Sequence, residues 1–226
     1  MALLVGLEGI DGSGKGTQAK LLHERLTNDG AEAELISFPR YSHTTFGRAI
    51  GEFLNGRFGA LPDVSPYLVS LLYAGDRFES KSLITDASAR MDVVIFDRYV
   101  PSNIAHQASK ADANERQQLT EWIETIEYEI YELPRPDLVI LLDLPATAAR
   151  KLIAKKEQRD YTDKAADLQE ADCDYLENVR QTYLGMANRQ AGWHCIECFQ
   201  QGTLRPVESI RDEIHSIVQP AVNQSG

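Results

Sequence analysis

Residues 6–18 read Gly-Leu-Glu-Gly-Ile-Asp-Gly-Ser-Gly-Lys-Gly-Thr-Gln and follow the apolar run Leu3, Leu4, Val5. Gly9, Gly14 and Lys15 have the spacing G-x-x-x-x-G-K, after strand-like residues and ahead of helix-like ones, which is the context that confirms a phosphate-binding loop. Glycines let successive backbone N–H groups curl around an anion, the helix N-terminus adds partial positive charge, and the lysine reaches the β and γ phosphates. The loop residues Gly9, Gly12, Ser13, Gly14, Lys15, Gly16 and Thr17 are therefore expected to hold a nucleoside triphosphate.

Outward from this loop, short apolar, β-branched-rich runs recur at Leu3–Leu7, Ala33–Phe38, Val93–Phe96, Leu138–Leu142 and His194–Phe199. Helical spacing lies between them. Lys15–Asn28 places Ala19, Leu22 and Leu26 on one face and stops at Gly30; Pro66–Ala89 is a long apolar-striped segment. Glu115–Leu133 carries Leu119, Trp122, Ile123, Ile126 and Ile130 and ends at Leu-Pro-Arg-Pro, because a residue before proline is pushed out of the α region. Alternating strands and helices predict an α/β fold: a mainly parallel five-stranded sheet with helices on both faces, in a single domain over 1–226. The last residues, Asn-Gln-Ser-Gly, read as a loose tail.

In such sheets ligands sit at the carboxyl ends of the strands. Every polar cluster falls there: Gly9–Thr17, Phe38–Tyr41 and Asp97–Asn103. A formal net charge of −11 argues against nucleic acid as a partner, since an acidic surface repels a polyphosphate chain. Any anionic ligand is then small and met by local basic residues. No apolar run approaches the roughly 18 residues of a membrane helix, and Glu8 interrupts the N-terminal run before it resembles a signal, so the reading is cytoplasmic, with no membrane partner. Cys173, Cys195 and Cys198 are odd in number, and the Cys-x-x-Cys has no second pair to complete a zinc site; all three read as buried, inert thiols.

The pattern Lys-Gly-Thr, with Gly16 between the lysine and the hydroxyl, is the form seen in nucleoside monophosphate kinases, which makes Thr17 the expected Mg²⁺-side hydroxyl. A GTPase or motor would want a late Asn-Lys-x-Asp, which this sequence lacks. Phosphoryl transfer between two nucleotides brings two polyanions together, so guanidinium groups should gather at their meeting point. Arg40 in Phe-Pro-Arg-Tyr and Arg98 in Asp-Arg-Tyr-Val-Pro-Ser-Asn are the candidates, whereas Arg48 and Arg57 read as surface charges.

From the phosphate loop through Phe-Pro-Arg-Tyr, Asp-Arg-Tyr-Val-Pro-Ser-Asn and Leu-Pro-Arg-Pro-Asp-Leu-Val-Ile-Leu-Leu-Asp-Leu-Pro to the segment near Glu170, the chain resembles the thymidylate kinases. The resemblance implies transfer of the γ-phosphoryl of ATP to dTMP with Mg²⁺, in a homodimer packed helix to helix. It also implies roles. Asp11 contacts the acceptor 3′-hydroxyl and helps organise the metal, with Asp97 and Arg98 supporting Mg²⁺ and bridging the phosphates. Phe38, Arg40 and Tyr41 form a pocket wall and a clamp on the dTMP phosphate; Tyr73 stacks on thymine and Arg77 donates to a base carbonyl. Ser102, Asn103 and Gln107 are base and sugar contacts, while His106 stands where some relatives place a tyrosine that crowds the 2′ position.

Residues 150–172 are dense in charge, and by resemblance form a lid that closes over phosphates. Arg159 is its expected catalytic cation, with Lys155 and Lys156 behind it; Asp167 and Glu170 match an Asp-x-x-Glu of the family's lid, with Glu170 near the acceptor. The alternatives are an adenylate or UMP-CMP type kinase, a deoxynucleoside kinase using Glu8 as base, and a non-catalytic ATP-binding regulator.

Overall fold

The computed structural model describes residues 2–59, 63–154 and 172–225. Its centre is a parallel sheet of β1 (Leu3–Glu8), β2 (Ala33–Ser37), β3 (Val93–Asp97), β4 (Leu138–Asp143) and β5 (Trp193–Glu197), in the order β2-β3-β1-β4-β5. The register pairs Val5 with Ile95 on one side and with Leu138 on the other. The expected α/β architecture is thus present. β1 is flanked on both sides, so its residues are buried throughout, as the unbroken apolar run requires.

Period-2 alternation divides those residues between two cores. Leu3, Val5 and Leu7 pack with Ala19, Leu22 and Leu26 of α1 (Lys15–Asn28), while Leu4 packs with Val94, Phe96 and Ile104 on the opposite face. Helix α1 has the bounds its periodicity predicts.

The segment 66–89 is two helices instead of one: α3 (Pro66–Glu79) and α4 (Lys81–Arg90), broken at Ser80. Before them lies α2 (Thr45–Leu54), whose N-cap Thr44 accepts from the Gly47 N–H. After β3 come α5 (Val100–Ala108) and α6 (Ala113–Glu124), the latter capped by Asp112, which accepts from Asn114 and Glu115 N–H. The expected helix to residue 133 widens instead into a π-helical segment, Thr125–Ile130. Consequently the predicted apolar face splits: Leu119 and Ile123 are buried, but Trp122 and Ile130 are 39% and 61% exposed. The residue that continues the buried row at the four-residue spacing is Glu127.

Helix α7 (Ala146–Ile153) carries Arg150 and Lys151 as exposed residues, and α8 (Cys173–Ala187) starts from the N-cap Asp172. Lys155, Lys156, Arg159, Asp167 and Glu170 lie outside the described residues.

Three expectations toward the C-terminus need correction. The run His194–Phe199 divides between β5 and a two-stranded hairpin, Phe199–Gln200 with Thr203–Leu204. Since β5 is an edge strand, Ile196 points inward while Cys195 is exposed; of the three cysteines only Cys198 is buried. Burial still pushes the Cys198 thiol up to about 12 and raises that of Cys195, so neither favours the reactive thiolate. The expected loose tail is helical up to Ser225, with Gly226 outside the described residues: α9 runs Val207–Ser225, and Ile210, Ile214, Val218 and Val222 recur every fourth residue and are buried against the first core. No helix among the described residues is long and apolar enough to cross a membrane.

Candidate active site

β1 delivers the chain directly into the phosphate loop. Gly12 has φ +81°, and a Cβ there would stand 2.6 Å from the Ala149 carbonyl oxygen, so the loop can pack against α7 only as glycine. Helix α1 opens at Lys15 with no side-chain cap and no acidic residue in its first turn, which leaves its leading N–H groups to an anion. Ser13 Oγ is buried in the same loop without a protein partner. Lys15 is buried and its Nζ donates to the Ile10 carbonyl at 2.7 Å. Burial, seconded by the charge of Arg98, pulls its pKa down to about 7; a bound polyanion reverses that shift.

A side chain on Gly16 would place its Cβ 3.0 Å from Asp97 Oδ2. The approach of this carboxylate to the first turn of α1 is a physical reason for the glycine between Lys15 and Thr17. Thr17 itself is exposed and does not line the cavity described below.

At the end of β3 the backbone turns through Arg98 with φ +68°, a left-handed conformation that a non-glycine residue holds only when its surroundings impose it. Its N–H donates to the Leu7 carbonyl at 3.1 Å. The guanidinium donates from Nη2 to Asp11 Oδ1 at 2.6 Å and from Nη1 to Ser102 Oγ at 2.8 Å. Burial opposes its charge, but Asp11 together with Tyr183, Asp97 and Glu8 outweighs burial and holds the pKa well above the usual arginine value. Nη1 also stands 3.3 Å from His106 Nε2.

A guanidinium only donates, so Nε2 accepts and the imidazole proton sits on Nδ1, facing the Tyr175 hydroxyl at 3.0 Å. That hydroxyl donates onward to the His106 carbonyl at 3.2 Å. Burial, together with Arg98, keeps the ring neutral, with its pKa lowered to about 3.

Behind Arg98, Glu8 is fully buried and both its oxygens are occupied: Oε1 accepts from Tyr99 N–H and Oε2 from the Tyr183 hydroxyl, each at 2.8 Å. Burial, opposed by Arg98, raises its pKa to about 7.

These groups line a cavity of about 280 Å³ whose walls include Asp11, Lys15, Phe38, Tyr41, Tyr73, Arg77, Asp97, Arg98, Ser102, Asn103, His106 and Gln107. Arg77 is 2% exposed and grips Glu127 with two nitrogens, Nε to Oε2 at 2.5 Å and Nη2 to Oε1 at 2.6 Å. Although burial works against its charge, Glu127 more than restores it. The guanidinium carbon lies 5.8 Å from the Phe38 ring centroid and 6.0 Å from that of Tyr99.

Asn103 Nδ2 donates to the Ser70 carbonyl at 3.0 Å and to Glu127 Oε1 at 2.9 Å, while its Oδ1 is buried with no protein partner. Gln107 accepts from Lys110 Nζ at 2.9 Å, leaving its own buried Nε2 without one. Arg40, like Gly9, Ser13 and Thr17, does not line the cavity; its Nη1 donates to Ser80 Oγ at 3.1 Å and its N–H to Asp76 at 2.9 Å. Arg48 and Arg57 are exposed, as expected of surface charges. Glu127, absent from the motifs, was signalled only by a carboxylate falling on a buried helical row.

The family model for thymidylate kinase matches residues 7–214. The chain belongs to the thymidylate kinase family. Thymidylate kinase of Mycobacterium tuberculosis is 32% identical over 191 residues, covering 84% of this chain and 87% of that protein. A probable thymidylate kinase of Thermococcus onnurineus is 33% identical over 222 residues, 96% and 97% of the two chains. The solved structure of thymidylate kinase from Candida albicans superposes with a TM-score of 0.74 at 24% identity, over 99% of this chain and 93% of that one, and agrees in fold. For a thymidylate kinase family member, a phosphate loop and a buried arginine opening on one cavity is the layout that a nucleotide kinase needs.

Proposed function

We propose that the chain transfers the γ-phosphoryl group of ATP to dTMP, giving dTDP and ADP on the route to dTTP. The observation that carries this reading is the base end of the cavity, where Asn103 Oδ1 lacks a donor beside the Arg77 guanidinium. Thymine presents N3–H and O4 along one edge, a donor and an acceptor that meet these two groups. Cytosine presents an amino donor and an unprotonated nitrogen, which leaves both protein groups unpaired at a penalty. The 5-methyl group adds only about 1 kcal/mol, so dUMP is expected to be a slower but real acceptor.

Transfer is read as direct and in line, since positioning and electrostatics suffice for a loose phosphoryl transition state. Lys15 and the loop amides hold the donor phosphates, and Arg98 sits between the loop and the acceptor cavity to neutralise charge that develops there. Asp11 and Asp97 stand beside the phosphate loop, and two carboxylates completed by phosphate oxygens and water make a donor set that suits Mg²⁺. Asp11 and Asp97 would hold the metal, which would supply neutralisation of charge on the donor phosphates. The assignments to Thr17, Arg40, Tyr73, Arg159 and Glu170 rest on the resemblance.

Glu8 is a poor candidate for a base acting on a sugar hydroxyl, because both its oxygens are already engaged, which weighs against the deoxynucleoside kinase reading. Arg77 and Arg98 in one cavity weigh against a non-catalytic regulator.

The test is ADP release with Mg-ATP and a panel of dTMP, dUMP, AMP, CMP and GMP. Turnover should be greatest on dTMP and fall by about 10³-fold or more in Arg98→Ala. Greatest turnover on AMP or CMP would remove the thymine pocket and keep the fold; none on any acceptor would favour the regulator.

A further inference from the structure

We propose that Glu127 is a positioning residue that sets the base preference of the acceptor site, by fixing the hydrogen-bond polarity of Arg77 and Asn103. The proposal rests on the reading of this cavity as the thymine site. Glu127 lies on the π-helical segment Thr125–Ile130, whose wide turn is marked by Tyr131 N–H bonding to the Ile126 carbonyl at 2.9 Å. Its side chain is fully buried and touches no phosphate-binding group; its two partners are Arg77 and Asn103, both on the cavity wall. A buried ion pair is a poor stabiliser, because desolvation cancels much of its attraction. Its position between two groups that face the ligand points instead to orientation.

The argument is one of hydrogen-bond inventory. A carboxylate accepts only, and so does the Ser70 carbonyl. Together they fix the Asn103 NH₂ and leave Oδ1, in a residue that lines the cavity, as the amide atom with no protein partner. The same carboxylate takes Nε and Nη2 of Arg77 in a fork, which locks the guanidinium plane and leaves Nη1 as the nitrogen that Glu127 does not engage. One carboxylate thereby imposes a pattern of one donor and one acceptor on the cavity, the complement of O4 and N3–H in thymine or uracil. A glutamine at 127 offers Asn103 an amide donor as readily as an acceptor. Asn103 is then held in its present sense by the Ser70 carbonyl alone, so the reversed amide, whose NH₂ presents the polarity that cytosine's ring nitrogen accepts, becomes more accessible.

The experiment measures kcat and KM for dTMP, dUMP and dCMP with Mg-ATP in the wild type and Glu127→Gln, with thermal melting to verify folding. The expected result is a rise in KM for dTMP with a smaller change in kcat, and a fall in the dTMP:dCMP ratio of kcat/KM by about tenfold or more. dUMP should move in parallel with dTMP, because both share the edge. If Glu127→Gln does not fold, Glu127→Asp carries the same test: it keeps a charge opposite Arg77 but withdraws it by one methylene from Asn103, and the same contraction of the ratio is expected. A wild type that prefers dTMP, with a folded variant that loses activity on dTMP and dCMP in equal proportion, overturns the role of Glu127 alone. A wild type that prefers an acceptor other than dTMP overturns the thymine reading, and this proposal with it.

Discussion

Arg98 sits in a left-handed backbone conformation between two strand ends, and its guanidinium links the phosphate loop, through Asp11, to the acceptor wall, through Ser102 and His106. Tyr175 holds the far side of that linkage by accepting the Nδ1 proton of His106. Tyr175→Phe should leave a buried imidazole N–H without its acceptor, lowering stability by about 1–3 kcal/mol, and a melting curve of the purified variant measures it. Glu8 provides a pH signature. Burial raises its pKa from the ordinary carboxylate value of 4.5 to about 7, so the native state binds the proton more tightly. That contribution to stability is fully present below pH 4.5 and is lost as pH rises through 7. Glu8→Gln, which keeps the shape, should be insensitive to this window; measured against it, the wild type should lose on the order of 3 kcal/mol between pH 4.5 and 7.5. Equal pH slopes for the two proteins would show that burial does not perturb Glu8.

Among the helices, α9 shows how packing overrides a polar terminus. Ile214 is fully buried between α1 and the sheet, and its removal leaves a cavity that neighbouring strands cannot collapse to fill. Ile214→Ala should cost about 2–5 kcal/mol in denaturant unfolding while kcat on the preferred acceptor stays within about twofold, since Ile214 does not line the site. The bounds of α1 were legible because the phosphate-loop motif, the periodicity and a glycine stop all agree. The break between α3 and α4 was not, since Ser80 is no helix breaker; its hydroxyl instead bonds back to the Asp76 carbonyl and accepts from Arg40. The π-helical segment was hidden for a similar reason: Glu127 within it is engaged by Arg77 and Asn103, 50 and 24 residues away, contacts that no local pattern encodes.

Among the described residues, exposed large apolar side chains include Leu68 and Phe78 on α3, Trp122 on α6 and Ile130 at the end of the π-helical segment, at 62%, 49%, 39% and 61% exposure, with Phe46, Phe58, Leu204 and Val207 exposed elsewhere. This supports the homodimer expected from the resemblance, because large apolar surfaces left open mark an interface. Sedimentation velocity should give a dimer for the wild type and a monomer for Leu68→Glu with Ile130→Glu; a monomeric wild type would remove the helix-to-helix interface. The phosphate loop, the parallel sheet and the cluster around Arg98 could be read from the chain because their chemistry is local: glycines for the backbone cradle, a lysine beside it, apolar runs for buried strands. Asn103's polarity, the tautomer of His106, the withdrawal of Arg40 from the cavity and the whole role of Glu127 could not. Each depends on hydrogen-bond partners 8 to 69 residues distant, and only the packing of α3, α5, α8 and the π-helical segment around one cavity decides which donor meets which acceptor.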